Sequence, residues 1–308
     1  MVLSNYTSTL LLNGKILQSE ISAPFMISAI GWIMLLASLL GMAVNSNVLY
    51  NFYQHQMSSF DLMCISKTLS NMCILLGYVF QNAPITILNN FDGPTFINIL
   101  VNQMVSYGIY IVGPIVRFMI SINRLMVIIF VKQSMTQNNK KLTIIFLVIN
   151  WIIGITLTVA TTIDPCSVIY NPEMLNWWSG GCDDFLGDTL TLFVISCAVL
   201  SNICNAVIVV KLVLAINKTQ LDSSTVRRRK QKSRKLFIQS CIQGYSRLIV
   251  LIAHLWIISN HAIFNFIVDI FSNLMTPVLD GFVMLIFNQD TESNKSRILS
   301  VRKRETTS

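Results

Sequence analysis

A chain of 308 residues with 53% hydrophobic and only 12% charged residues has too little polar surface to coat a water-soluble globule, since soluble domains carry about 25% charged residues. The mean hydropathy of +0.62 agrees, so lipid is the expected solvent. The net charge of +8 sits in a few short segments rather than in a basic stripe interleaved with aromatics. That distribution excludes a nucleic-acid surface and points to anchoring against an acidic inner leaflet.

Residues 1–24 are polar and carry Asn5-Tyr6-Thr7, an N-glycosylation acceptor. No cleavable signal stands out, and the first apolar run is expected to serve as a permanent signal anchor. A membrane-crossing helix needs about 20 mostly apolar residues. Seven such runs are predicted, at 25–49, 60–88, 96–131, 142–163, 185–215, 236–259 and 262–288, followed by a basic tail at 289–308. The last two runs are divided at Ser259-Asn260-His261. Left undivided they would make a helix about 80 Å long, far too long for a bilayer. The expected fold class is therefore all-α membrane, a seven-transmembrane helix bundle.

Loop charge gives the expected orientation. The 132–141, 216–235 and 289–308 segments carry three, eight and five Lys or Arg residues, whereas the opposite side carries only Lys15. This predicts an extracellular N-terminus and a cytosolic C-terminus. Five of the seven cysteines, Cys64, Cys73, Cys197, Cys204 and Cys241, fall in spans, where they read as small apolar packers. Cys166 and Cys182 fall in an outer, oxidising loop, where a bridge would close a 17-residue segment; the alternative is two free thiols.

Catalytic patterns are absent. The three histidines, His55, His254 and His261, form no metal-spaced cluster, and no P-loop or nucleophile elbow occurs. Neither an enzyme nor a bound metal or cofactor is expected. Asp269 and Asp280 lie 11 residues apart on one helix, about 16 Å, too far to share a proton.

Polar residues inside spans carry the functional signal. The third span ends in Asn123-Arg124-Leu125, Asn45 and Asn71 lie in the first two spans, Trp151 lies in the fourth, and Thr276-Pro277 precedes Asp280 in the last. This set resembles the rhodopsin-like G-protein-coupled receptor plan. More specifically, Pro165-Cys166, Tyr170-Asn171-Pro172, Trp177 and Cys182 in the outer loop resemble the nematode chemosensory serpentine receptors of class x. So do the basic 227–235 segment leading into the sixth span, the 279–288 run, and Ser121-Ile122-Asn123-Arg124. The likeness covers residues 25–290. It implies a chemoreceptor that binds a small-molecule or peptide cue and activates a heterotrimeric G protein, at the cell membrane or a sensory cilium.

The chain also departs from the rhodopsin-like plan. It has no Cys at the start of the third span, no acidic neighbour before Arg124, and Asn71 where an Asp is usual, which puts a sodium-type site in doubt. The last span has no Lys, which excludes a retinal Schiff base there.

Charges in a span are costly and normally face the bundle interior. Lys67, Arg117, Arg247, Asp269 and Asp280 are such groups. Asp269, Asn273, Thr276 and Asp280 follow helical spacing and predict one polar stripe. Asp280 is expected to pair with Lys67 or Arg117, either as a switch that activation breaks or as a static bridge. The expected polar network comprises Asn45, Lys67, Asn71, Arg117, Asn273 and Asp280. Candidate ligand-pocket residues are Gln103, Tyr107, His254, Trp256 and Asp269, all of which could instead belong to an interfacial belt. Arg124 reads either as a snorkelling anchor or as the contact to a G protein. A transporter or channel subunit is the alternative function, but no internal repeat of the kind transporters show is visible.

Overall fold

The computed structural model describes residues 24–54, 57–89, 95–129, 137–162, 168–172, 175–179, 183–218, 242 and 266–286. Among these, six helices are long and apolar enough to cross a membrane. They are α1 (Pro24–Tyr53), α2 (Ser59–Leu88), α3 (Thr95–Gln103 continuing through Ile109–Ile129), α4 (Gln137–Ala160), α5 (Asp183–Lys218) and α6 (Phe266–Ile286). The predicted 236–259 span lies outside the described residues.

Helix α1 shows why lipid-facing helices differ from soluble ones. Its buried positions include Ile27, Gly31, Met34, Ser38, Gly41, Asn45, Val48 and Phe52, spaced alternately four and three apart, with Val44 buried beside Asn45. Trp32, Leu36, Leu39 and Leu40 on the other face are exposed, where lipid rather than water is their expected neighbour. Both faces are apolar, so small and polar residues mark the inner one by allowing close approach. A Cβ at Gly31 would sit 2.7 Å from the backbone nitrogen of Ile87, so α1 and α2 meet there nearly backbone to backbone.

Helix α2 starts in a capping box. Asp61 N–H donates to Ser58 Oγ at 3.2 Å, and Ser58 N–H donates to Asp61 Oδ2 at 2.9 Å. It ends on Asn89 in the left-handed region, at φ 45°. Among the described residues, three helices contain a π turn: Tyr78–Asn82 in α2, Met104–Gly108 in α3 and Phe266–Phe271 in α6. In α2 the turn lies just before Pro84, whose ring removes a backbone donor. The Tyr78 hydroxyl donates to the Ile270 carbonyl at 3.3 Å, joining the π turn of α2 to that of α6.

Between α4 and α5 the chain forms an antiparallel hairpin, β1 (Val168–Asn171) and β2 (Asn176–Ser179), with Tyr170 opposite Trp177. The hairpin folds into one end of the bundle. Tyr170 and Leu175 are fully buried in a core cluster with Ile27, Ala83, Ile85, Phe266 and Ile270. A second cluster, with Val48, Met63, Val116, Ile120 and Met284, fills the opposite end. Helices α3 and α4 meet at Gly108 and Gly154, and α3 meets α5 through Ser121 and Ser201, whose hydroxyls lie 2.6 Å apart.

Candidate functional site at the bundle centre

Between the two clusters lies a belt of polar side chains drawn from α1, α2, α3 and α6. Its centre is Asp280, which is 3% exposed. Lys67 Nζ on α2 reaches Asp280 Oδ2 at 3.0 Å. Arg117 Nη2 on α3 donates to both carboxylate oxygens, at 2.9 and 3.1 Å. Sequence reasoning expected Asp280 to pair with one cation or the other; the geometry gives it both. Two cations on one carboxylate leave a net buried charge of one unit if all three are ionised, in a medium where each charge is strongly disfavoured alone. The arrangement therefore clamps α2, α3 and α6 together at a point of high electrostatic stakes.

The belt continues toward α1. Asn45 donates to the Gly41 carbonyl at 2.8 Å and to the Pro277 carbonyl at 3.2 Å. Asn71 lies 3.5 Å from the Asn45 carboxamide oxygen. A Cβ at Gly281 would meet the Asn45 amide nitrogen at 2.7 Å, so glycine is what lets the carboxamide slide beside α6. Ser70, Asn71, Asn273, Thr276 and Asp280 line a small cavity together with Tyr110. The space open to a water's centre is about 10 Å³, close to the minimum for a single water. All six residues of the expected polar network thus gather in one belt: Asn45, Lys67, Asn71, Arg117, Asn273 and Asp280.

The predicted polar stripe on the last helix is described at one end only. Asn273, Thr276 and Asp280 do share the cavity. Asp269, however, sits within the π turn Phe266–Phe271, where the bonding runs i to i+5 and α-helical spacing no longer applies. The Asp269 side chain itself lies outside the described part of the structure.

The other expected residues are spread more widely. Arg124 lies beyond the second core cluster, with its guanidinium 5.3 Å from the centre of the Phe60 ring, a cation–π contact that fixes it against the start of α2. Asn123 and Leu125 flank it, partly buried. Gln103 is fully buried, and Tyr107 is partly buried in the π turn of α3. Asn5, Cys166, Cys182, Arg247, His254 and Trp256 lie outside the described residues.

Several contacts were missed from sequence. Trp151 donates its indole N–H to Ser66 Oγ at 2.9 Å, tying α4 to α2; a mid-span Trp needs such a partner, which was the available signal. Tyr170 and Thr86 share a 2.8 Å hydrogen bond between hydroxyls, tying the hairpin to α2. Burial pushes the Tyr170 phenol up to about 12, with the Thr86 bond acting weakly the other way, so the phenol stays neutral under any physiological condition.

A family model described as "Serpentine type 7TM GPCR chemoreceptor Srx" matches residues 35–288. No curated protein matches the chain. The matched stretch contains every member of the central belt, the hairpin and Asn123-Arg124-Leu125.

Proposed function

Because the chain belongs to the Srx family of serpentine seven-transmembrane chemoreceptors, we propose that it binds a small-molecule or peptide cue at the hairpin end of the bundle and activates a heterotrimeric G protein at the Arg124 end. The observation that carries this reading is the charged clamp between the two ends. Lys67, Arg117 and Asp280 come from three different helices. Any helix movement that transmits a signal along the bundle must rearrange that clamp, and a buried ion cluster has discrete arrangements rather than a continuum. The paired state is the resting one, and the cue favours a state in which α6 has moved and the pairing is broken.

Orientation follows from loop charge, with the hairpin end outside and the Arg124 end in the cytosol. The basic 227–235 segment is then an anchor to acidic lipid and a docking surface for the G protein. The chain is a multi-pass membrane protein, and the cell membrane or a sensory cilium is its proposed site. Asn5 is the acceptor exposed to glycosylation. Residues 1–24 are extracellular and the 289–308 tail is cytosolic.

Arg124→Ala is expected to reduce binding of a G-protein α subunit to receptor-containing nanodiscs by on the order of tenfold, equivalent to about 1.4 kcal/mol, without lowering surface expression. Unchanged binding would remove Arg124 from the contact and leave it as an anchor. A cue-evoked current in cells lacking G proteins would favour the channel reading instead. Odorants, ascarosides and peptides screened with a G-protein readout would find the cue.

Cys166 and Cys182 are proposed to form a disulfide. Supporting this, Val168 pairs with Ser179 in the hairpin, so the two cysteines lie two and three residues beyond a fixed cross-strand pair. Closing this loop contributes about 3 kcal/mol in the chain-entropy model. Proteolytic fragments carrying the two cysteines should stay joined until reduced; free thiols in unreduced receptor would contradict the bridge.

A further inference from the structure

The place where a cue would enter is already filled by the protein's own hairpin. Tyr170 and Leu175 are fully buried, in the apolar core cluster that also holds Ile27, Ala83, Ile85, Phe266 and Ile270. Leu175 has φ 49°, a left-handed conformation that a leucine adopts only where its surroundings impose it. The site also holds unmet hydrogen-bonding capacity. Thr86 Oγ1, the partner of Tyr170, also donates to the Asn82 carbonyl at 2.7 Å, one turn away. The Asn82 side chain is fully buried, and neither its amide nor its carbonyl oxygen has a hydrogen-bond partner among the described residues. The indole N–H of Trp177, opposite Tyr170 on the hairpin, is likewise buried and unmatched there. Native structures rarely leave such groups unsatisfied without a ligand or water to meet them.

We propose that Tyr170 and Leu175 occupy the cue's own binding place, and that this place takes a neutral, mostly apolar small molecule carrying one hydroxyl group, which enters by lifting the hairpin. The proposal rests on the receptor reading above and names the chemistry of its ligand. The hydroxyl replaces the Tyr170 phenol on Thr86, with Asn82 one turn away as a second hydrogen-bonding group. The apolar body replaces the phenol ring and the leucine side chain. A charged group is disfavoured because Tyr170 and Leu175 are fully buried within an apolar cluster, where an unpaired ion would be desolvated at high cost. Lifting the hairpin also releases the constrained Leu175 backbone. It uncovers Ile270, which lies on α6, the helix that carries Asp280, and whose carbonyl accepts from the Tyr78 hydroxyl of α2.

The test uses the purified full-length chain in nanodiscs with Tyr170→Ala, which empties a phenol-shaped space, and with 4-methylphenol as the probe. The variant should melt several degrees below the wild type. Millimolar 4-methylphenol should restore it, whereas 4-methylbenzoate should not and toluene should do so only weakly. Adding Thr86→Val should weaken the 4-methylphenol effect about tenfold, the loss of one buried hydrogen bond. In the wild type the same probe should speed amide exchange across 168–179. Absence of rescue, equal rescue by 4-methylbenzoate, or unchanged wild-type exchange at saturating probe each overturns the proposal. If Tyr170→Ala does not reach the membrane, the smaller truncation Leu175→Ala is paired with 3-methylbutan-1-ol; a restored melting temperature supports the proposal and an unchanged one overturns it. These readouts involve no G protein, so their failure leaves the signalling reading standing, and failure of G-protein activation leaves them intact.

Discussion

Asp280→Asn is expected to destabilise the bundle by about 3–5 kcal/mol, the usual range for removing one member of a buried ion cluster. Lys67 and Arg117 rest on the same carboxylate oxygen, at 3.0 and 2.9 Å. Neutralising that oxygen leaves two cations facing each other in a nearly water-free interior, and neither helix can turn its charge outward without unpacking. Surface expression and the melting temperature of detergent-solubilised receptor would report the loss. The triple replacement Lys67→Met, Arg117→Leu, Asp280→Leu should recover most of the stability, because well-packed apolar residues often replace a buried ion cluster at no net cost. Asp280→Asn melting at the wild-type temperature would mean that the two cations are satisfied by other groups. The same geometry changes what a charge swap can show. Exchanging Lys67 and Asp280 would bring a lysine against Arg117, so the double swap is expected to fail even though the original pairing is real.

Gly108→Ala is expected to be nearly as damaging, although it adds a single methyl group. The new Cβ would overlap Thr158 Oγ1 and lie 2.6 Å from the Gly154 carbonyl oxygen. The hydroxyl can rotate away, at the loss of its 3.0 Å bond to that same carbonyl; the backbone oxygen cannot. Overpacking of this kind typically costs about 1–3 kcal/mol, and more where backbone is involved. Gly108→Ala with Thr158→Ala should recover only part of the loss, because the Gly154 contact remains. Full recovery in the double variant, measured by thermal melting, would locate the conflict in the side chain alone and show that α4 can yield.

The helices could be read from the sequence because length and low charge suffice in lipid. Their inward faces could not. In water, α1 would show which side faces the core by alternating apolar and polar stripes. In lipid both sides are apolar, and Gly31, Ser38, Gly41 and Asn45 carry the only signal. The chemistry of the central site was legible through the cost of an intramembrane charge, which flagged Lys67, Arg117 and Asp280 together with Arg247 and Asp269. How many cations share the carboxylate depends on where α2, α3 and α6 lie relative to one another, and no periodicity encodes that. The π turns were also hidden. Pro84 offers a reason for the one in α2, but Met104–Gly108 and Phe266–Phe271 carry no sequence mark that we can identify. The hairpin's inward fold was equally invisible, because Tyr170-Asn171-Pro172 signals a turn without saying which way it points.

The central claim is that the clamp on Asp280 is a switch and not merely a brace, and Lys67→Met tests it most directly. This substitution removes the surplus cation and leaves one matched pair, Arg117 with Asp280, so folding should be preserved. Receptor in nanodiscs, at equal amounts of folded protein, is mixed with a heterotrimeric G protein without any cue, and nucleotide exchange on the α subunit is followed. Weakening the resting clamp should raise basal exchange roughly fivefold or more over wild type, the scale of ordinary conformational coupling. Normal folding with exchange identical to wild type would contradict the account and leave the clamp as structural packing alone.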